Sequence, residues 1–403
     1  MSETAAANSL CPFPSERTSR FDPPGAYAKL QDSAPFQRVR LASGLPAVLV
    51  TRHEHVRRLL DDSRLSSDEG VPGYPFLYEG AFASPLKDTF MRTDGPAHLR
   101  VRRILVKEFT PRRAAELRPV VAEIVDSCLD EIDTVGPTAD LVAALAFPVP
   151  SSMVCRLLGV PIEDRPVFEQ NTRAMIDIAS TQEQVMAAMG AIMGYLDELL
   201  TRKQAEQADD LLSRLVHEQL LPGTMARQEL VQIALILLVA GHETTATMIG
   251  LGAYTLLAHP DQLARLAGQP DLWPSAVEEL LRHQTIVQNP VQRVAVTDIE
   301  IDGETIHAGE GVVMVLETAN RDPRAYEHPD VLDVARNPRN HLSFSYGPHH
   351  CLGHAIARME LEEVFSRLFA RFPGLHLAVP VDEVRMRPPS VGLYGVESLP
   401  VAW

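Results

Sequence analysis

Closely spaced cysteines are missing from this 403-residue chain. Its four cysteines, Cys11, Cys128, Cys155 and Cys351, stand far apart in the sequence. This scatter argues against a disulfide framework and favours a reducing compartment. It also argues against zinc or iron–sulfur sites, because those need several nearby ligands.

Basic charge is also in short supply. Lysine and arginine number 37 against 53 acidic residues, for a net charge of −16 at pH 7, which disfavours binding to nucleic acid or anionic membranes. The longest strongly apolar stretch, Ile233 to Ala240, is far shorter than the ~20 residues of a membrane-spanning helix. No signal peptide is visible between Met1 and Pro14. We therefore expect a cytoplasmic protein that does not associate with membranes.

Internal repeats, low-complexity segments and Gly- or Ser-rich linkers are absent as well, so one domain over residues 1–403 is the simplest organisation. We expect a mainly α fold with minor β structure: a β-rich part over about 1–95 and a helical core over about 96–403. A long helix is predicted over 225–259, where no proline interrupts the pattern. The other expected elements are helices over 275–283 and 354–370, a hairpin turn at Asp302-Gly303, and strands within 291–315, including one over 312–316.

One cysteine lies in a distinctive setting. Cys351 is on a glycine-flanked loop just before a helical pattern that begins near His354. The N–H groups that open a helix lack partners and carry the positive end of its dipole, which favours a thiolate. A lone cysteine is more often a small buried hydrophobic residue, so the case for a metal ligand depends on the residues around it.

Those residues form a pattern with five defined positions. Phe344, Gly347, His349, Cys351 and Gly353 follow the spacing Phe-x-x-Gly-x-His-x-Cys-x-Gly, which resembles the haem-ligand loop of the cytochrome P450 family. The resemblance implies a cytochrome P450 fold, with haem b held between a long central helix and this loop. It makes Cys351 the axial thiolate ligand of the iron, with the other four residues shaping the haem-binding loop.

A second motif, Ala240-Gly241-His242-Glu243-Thr244-Thr245, lies inside the predicted long helix. A glycine there costs ~1 kcal/mol relative to alanine and would let a flat ligand approach, while Thr244 can bond back to the Ala240 carbonyl. By itself the string more often indicates a packing glycine beside polar surface residues. It resembles the family's oxygen-binding segment, which implies that Ala240 and Gly241 flank the haem. Glu243 and Thr244 would then be the acid–alcohol pair that supplies protons for cleavage of the O–O bond.

Four cationic or imidazole side chains match further family positions. His98 and Arg102 are four residues apart on a predicted helix and so share one face; Arg293 and His349 complete the set. Each alone is more often a surface residue. The resemblance implies that together they bind the two haem propionates.

Glu279 and Arg282 stand three apart on a predicted helix. Such a pair, when exposed, is worth only about 0–1 kcal/mol and needs no special role. The string Glu279-Leu280-Leu281-Arg282 resembles the family's Glu-x-x-Arg motif, and Arg336 matches its later arginine. The resemblance implies a structural triad that supports the cysteine loop.

The substrate side is the least distinctive. The resemblance places substrate contacts at Phe76, Phe82, Leu237, Val287, Asn289, Val391 and Leu393, which would otherwise pass for ordinary core residues. The basic stretch from Arg100 to Arg113 would by default be a solvated helix face. In the family this region borders the docking site of an acidic electron donor.

The implied function is that of a haem-thiolate monooxygenase acting as a monomer. It would activate dioxygen with electrons from NAD(P)H, delivered by a ferredoxin or flavodoxin-type donor and its reductase, to hydroxylate or epoxidise a mostly apolar small molecule in bacterial secondary metabolism such as antibiotic biosynthesis. The alternatives are oxidative coupling, peroxide- or nitrogen-oxide-dependent chemistry, and a haem-binding protein without turnover. The Glu243–Thr244 pair favours dioxygen activation.

Overall fold

The computed structural model describes residues 11–12, 16–17, 19–78, 89–177, 179–388 and 392–403. Their α-helices are α1 (Ala26–Ser33), α2 (His53–Leu60), α3 (Gly95–Leu105), α4 (Pro111–Val135), α5 (Pro148–Leu158), α6 (Arg165–Ile176), α7 (Gln182–Ala205), α8 (Leu211–Leu215), α9 (Arg227–Ala258), α10 (Pro260–Gly268), α11 (Trp273–Gln284), α12 (Leu316–Ala319) and α13 (His354–Arg371). Their strands are β1 (Cys11–Pro12), β2 (Phe36–Arg40), β3 (Pro46–Val50), β4 (Leu65–Ser66), β5 (Thr138–Asp140), β6 (Val291–Ala295), β7 (Ile299–Ile301), β8 (Glu304–Ile306), β9 (Gly311–Met314), β10 (His376–Leu377) and β11 (Pro400–Ala402). The mainly α class expected from the sequence is confirmed.

The described residues divide into two compact units. The first contains those up to Ile104 together with 278–333 and 338–352, and the second contains the rest. The first unit holds a six-stranded sheet in the order β1-β2-β3-β9-β6-β4 and the β7–β8 hairpin. Because this sheet combines early and late segments, the β-rich part is not confined to the first 95 residues.

Alternation along the central strands builds the core of the first unit. On β3, Val48 and Val50 join one buried apolar cluster, whereas Leu49 joins the cluster on the opposite face. This follows from the two-residue period of a strand. Helix α2 covers the first face through Val56 and Leu59, and Tyr27 of α1 covers the second. A sheet covered on both faces needs the continuous apolar runs that β3 and β9 carry.

The turn predicted between β7 and β8 is confirmed. Asp302 and Gly303 have φ angles of 52° and 85°, as a tight hairpin turn of the primed type requires. The strand expected over 312–316 is too long by two residues, because β9 ends at Met314 and Leu316 begins α12.

Helix α9 runs through the second unit. Its bounds, Arg227–Ala258, confirm the long helix predicted from the sequence. It is long and apolar enough to cross a membrane, yet 78% of its most apolar window is buried inside the protein, as in a core helix. Helix α13 packs closely against it, because a Cβ on Gly252 would lie 2.5 Å from the Phe365 ring.

Helix α13 carries a buried carboxyl group. Glu360 is 3% exposed, and its Oε2 has no hydrogen-bond partner among the described residues. Burial raises the pKa of Glu360 to about 8, whereas an unfolded glutamate titrates at about 4.3. Between these values the folded state keeps a proton that the unfolded state releases, so stability falls as the pH rises through this window.

We expect Glu360→Gln to remove this dependence of stability on pH. At pH 8 the free energy of unfolding of the variant should exceed that of the wild type by at least about 1.4 kcal/mol, the equivalent of one pKa unit, and the gain should shrink towards pH 4.5. Denaturant unfolding over this pH range measures it. Glu123→Gln, on an exposed position of α4, is the matched control and should keep the wild-type slope. Parallel curves for Glu360→Gln and the wild type would contradict the assignment.

Candidate active site

The loop that carries Cys351 is closed by its own backbone. The Cys351 N–H donates to the Phe344 carbonyl at 2.8 Å, and the His350 N–H donates to the Gly347 carbonyl at 3.0 Å. Gly347 has a φ of 71°, and a Cβ there would lie 2.7 Å from the carbonyl oxygen of Leu60. Glycine is therefore required at this turn, and it holds the half-buried Cys351 in a defined place.

The other described thiols are poor candidates for metal ligation. Burial raises the pKa of Cys128 to about 11 and that of Cys155 to about 12. Both stay protonated near neutral pH, and a metal ligand must be a thiolate. Among the cysteine side chains that the structure describes, Cys351 is the candidate ligand.

The structure brings the predicted cationic and imidazole residues of the first unit together. The rings of His98 and His349 stack with their centroids 4.2 Å apart. Arg102, one turn after His98 on α3, donates to the His350 carbonyl at 2.6 Å. Burial lowers the pKa of both imidazoles, and the charge of Arg293 on β6 adds to the effect.

Two of these residues are cations shielded from water: Arg293 is buried and Arg102 is half-buried. Among the described residues, no carboxylate pairs with Arg102 or Arg293. Burial lowers the pKa of Arg293 to about 10 and also lowers the pKa of Arg102, where the charge of Cys351 opposes the shift. A buried cation is costly unless an anion compensates it. The set therefore fits a haem, whose two carboxylates would supply that charge.

The same surroundings lower the pKa of His98. Burial, followed by the neighbouring His349 and Arg102, lowers the pKa of His98 to about 4. The imidazole is thus neutral near pH 7 and can donate one N–H to an anion. A bound carboxylate would favour its protonation.

Asp94 belongs to this cluster, although no motif in the sequence assigns it a role. It accepts hydrogen bonds from Ser66 Oγ at 2.5 Å, from Ser67 Oγ at 2.7 Å and from the His349 ring at 3.4 Å. Burial alone would raise the pKa of Asp94, but these hydrogen bonds outweigh it and hold the pKa below its ordinary value. Asp94 thereby orients His349. Its position directly before α3 was the available signal.

Helix α9 has one face that the described residues leave partly exposed. Between residues 233 and 256 the positions that are not buried are Leu237, Ala240, Gly241 and Thr244. Spacings of three and four place them on a single face of the helix. Thr244 Oγ donates to the Ala240 carbonyl at 2.8 Å, which confirms the predicted back-bond. The face is apolar apart from this hydroxyl.

The glycine of this motif has a packing reason. A Cβ on Gly241 would lie 2.6 Å from Val154 Cγ2 on α5. The contact explains why a side chain is missing here. The expected gap for a flat ligand beside Gly241 stays a prediction, because this contact concerns only the direction of the missing Cβ.

Glu243 is buried, with 2% side-chain exposure, and forms an ion pair that the sequence did not suggest. Arg387 donates to Glu243 Oε2 at 3.0 Å and to Thr247 Oγ at 2.6 Å. Glu243 Oε1 has no hydrogen-bond partner among the described residues. The partners are 144 residues apart in the chain, so no local pattern could have revealed the contact.

His242 is also fully buried and connects α9 to α6. Its Nδ1 is 3.0 Å from the Leu238 carbonyl, and its Nε2 is 3.1 Å from Thr172 Oγ. A carbonyl only accepts hydrogen bonds, so Nδ1 carries a proton and donates it to Leu238.

Glu279 and Arg282 form a pair with no side-chain exposure. Arg282 donates to both carboxylate oxygens at 2.7 and 2.8 Å, and to the carbonyls of Asn320 and Pro329. The alternative of an exposed helix pair is therefore wrong. Asn320 in turn donates to Ser343 Oγ at 2.9 Å, which ties this network to the segment before the cysteine loop. The membership of Arg336 stays a prediction.

Five of the expected substrate contacts lie among the described residues, and all are half-buried: Phe76, Leu237, Val287, Asn289 and Leu393. Asn289 Oδ1 accepts from the Tyr78 hydroxyl at 2.6 Å. Phe82 and Val391 fall outside the described residues. Contact of these positions with a substrate stays a prediction.

Known proteins resemble this chain over nearly its full length. The sequence model of the family described as Cytochrome P450 matches residues 271–390. Pentalenic acid synthase of Streptomyces avermitilis is 45% identical over 392 residues, 97% of each chain. Vitamin D3 dihydroxylase of Streptomyces griseolus is 45% identical over 395 residues, 97% of this chain and 96% of that protein. The crystal structure of mycinamicin VIII C21 methyl hydroxylase from Micromonospora griseorubida, bound to mycinamicin VIII, superposes with a TM-score of 0.92 at 36% identity and covers 98% of this chain and all of that one.

Proposed function

The chain belongs to the cytochrome P450 family, and from this premise we propose that it hydroxylates or epoxidises a mostly apolar small molecule in bacterial secondary metabolism. It is a cytochrome P450 monooxygenase that uses haem b with an axial cysteine thiolate. Its substrates are small molecules and dioxygen, and it receives electrons from redox partners. We infer that it works in the cytoplasm as a monomer.

The residues that would hold the haem are those of the first unit. Cys351 would ligate the iron, and His98, Arg102, Arg293 and His349 would bind the propionates. The bound haem supplies an iron that activates dioxygen with electrons from the redox partner. The protein positions the thiolate through the loop bonds of Cys351. It offers the propionates the guanidinium groups of Arg102 and Arg293, which pair with no carboxylate among the described residues.

The observation that carries the proposal is the partly exposed face of α9. It presents Leu237 and Ala240 as apolar surface and Thr244 as a single hydroxyl. A face of this kind favours an apolar substrate and leaves one side chain to hold a proton. Glu243, on a buried face of the same helix, would exchange protons with that hydroxyl.

The names of the relatives are consistent with this substrate class. They include a vitamin D3 dihydroxylase and a mycinamicin hydroxylase, which are named for oxidation of organic compounds. We propose a ferredoxin or flavodoxin-type donor with its reductase, docked on the basic stretch that contains the exposed residues Arg100 and Arg103.

The function is tested by screening apolar compounds for a shift in the haem Soret band on binding. The hits are then turned over with NAD(P)H, a surrogate ferredoxin and reductase, and isotopically labelled dioxygen. We expect a product that contains one labelled oxygen atom per molecule. A product without the label, or turnover that depends on peroxide alone, would contradict the proposal.

We expect Thr244→Ala to bind haem normally and to lose coupling, the amount of product formed per NAD(P)H oxidised. Because the hydroxyl would hold a proton needed by the reaction, coupling should fall at least about tenfold, while hydrogen peroxide rises. Thr255→Ala is the matched control, since Thr255 makes the same back-bond to Leu251 on the same helix at 2.7 Å. Full coupling in Thr244→Ala would remove the proposed proton role.

A further inference from the structure

The ion pair between Glu243 and Arg387 is buried on both sides. Their side chains are 2% and 9% exposed. Ion pairs in such places contribute little net stability, because desolvation offsets the attraction. Its presence beside the proposed proton-handling residues therefore calls for an explanation other than stability.

Arg387 bridges two residues on one face of α9. Glu243 and Thr247 are four apart, and the Thr247 hydroxyl donates to the Glu243 carbonyl at 2.7 Å. The same hydroxyl oxygen accepts from Arg387 at 2.6 Å while the other guanidinium nitrogen holds Glu243 Oε2. The guanidinium is thus held at two points, and the carboxylate orientation follows from it.

The backbone around Arg387 is paired with a segment that packs against the helix. The Arg387 N–H donates to the Gly395 carbonyl at 2.8 Å, and Met386 pairs with Val396. A Cβ on Gly395 would lie 2.5 Å from Thr247 Cγ2. Only glycine allows this close approach, so the strand partner of the Arg387 segment lies directly against α9.

One carboxylate oxygen is left free by this arrangement. Oε2 is occupied by Arg387, whereas Oε1 is buried and has no partner among the described residues. A buried polar atom without a partner is costly and calls for a reason. An oxygen that must take up and release a proton cannot be permanently committed to a guanidinium.

We propose that Arg387 is the positioning residue of Glu243: it holds Oε2 and so presents Oε1 as the oxygen that exchanges protons. The inference rests on the proposed role of Glu243 in the monooxygenase reaction. It concerns the orientation of the carboxylate, not direct contact of Arg387 with substrate or haem.

The test compares Arg387→Met and Arg387→Lys with Arg385→Met in the haem-loaded enzyme. Arg385 is the matched control, because it lies in the same segment and its pair with Glu397 is largely exposed. In Arg387→Met we expect the spectrum of the reduced carbon-monoxide complex and the substrate Kd to stay as in the wild type. Coupling should fall about tenfold, the scale of a lost charge-assisted hydrogen bond, and Arg387→Lys should recover part of it.

A second measurement does not depend on activity. The crystal structure of Arg387→Met should show the Glu243 carboxylate in more than one orientation, with that of Arg385→Met unchanged. Wild-type coupling together with a single Glu243 conformer in Arg387→Met would overturn the proposal. If Arg387→Met fails to bind haem, Thr247→Val decides, since it removes the second acceptor of Arg387; unchanged coupling there overturns it.

Glu243→Gln separates this inference from the proposed function. If Arg387 acts through Glu243, the double variant Glu243→Gln with Arg387→Met should be no less coupled than Glu243→Gln alone. Losses of coupling that add up in the double variant would overturn the positioning role. A fully coupled Glu243→Gln would instead contradict the proton role of Glu243. Loss of coupling in Glu243→Gln with none in Arg387→Met would leave that role standing and remove only the inference about Arg387.

Discussion

Cys351→Ala is expected to abolish monooxygenase activity and the red-shifted Soret band of the reduced carbon-monoxide complex. That band depends on a thiolate ligand to the iron. Of the cysteine side chains described, Cys128 and Cys155 are buried with raised pKa values, whereas Cys351 is half-buried. The spectrum of the reduced protein under carbon monoxide measures the effect directly.

The matched control is Cys128→Ala. Burial raises the pKa of the Cys128 thiol to about 11, so it is not a ligand, and its replacement should leave the band in place. Persistence of the band in Cys351→Ala would show that the ligand assignment is wrong. Loss of the band in both variants would point to general damage to the fold.

Glu279→Gln is expected to lower the free energy of unfolding by about 3–5 kcal/mol. The change leaves Arg282 buried with no carboxylate opposite it, and the side chains of both residues have no solvent exposure. Arg282 also organises the carbonyls of Asn320 and Pro329. We therefore expect the haem content of the purified variant to fall together with its stability. Denaturant unfolding and the haem-to-protein absorbance ratio measure these effects.

Two further variants show whether the loss of stability in Glu279→Gln comes from the buried, unpaired charge. Glu116→Gln breaks an exposed helix pair with Arg112 and Arg113, and it should have no measurable effect, since exposed pairs contribute little. The double replacement Glu279→Leu with Arg282→Met removes both charges and should be less harmful than Glu279→Gln alone. A Glu279→Gln protein as stable as the wild type would contradict a role for the pair in supporting the fold.

Most of the secondary structure near the site could be predicted because it depends on local patterns. The uninterrupted apolar stretch of α9 and the turn at Asp302-Gly303 are properties of neighbouring residues. The back-bond of Thr244 is also local, since it joins residues four apart on one helix. These predictions are confirmed.

The burial of side chains and the partners that they contact could not be predicted from local patterns. The spacing of Glu279 and Arg282 is the same for an exposed and a buried pair, and only the packing around α11 shows which one it is. The contact of Gly241 with Val154 depends on where α5 crosses α9. The position of this crossing cannot be predicted from a local sequence pattern.

The chemistry of this protein could be predicted from its sequence, because a cysteine loop, a Gly-His-Glu-Thr motif and a set of basic residues together indicate a haem-thiolate enzyme. The folded structure was needed to see which groups hold these residues in place. It paired Glu243 with Arg387 and placed Asp94 against His349. The physical reason is that the reactive groups are encoded in short, local strings, whereas hydrogen bonds and ion pairs form between residues that packing brings together from distant parts of the chain.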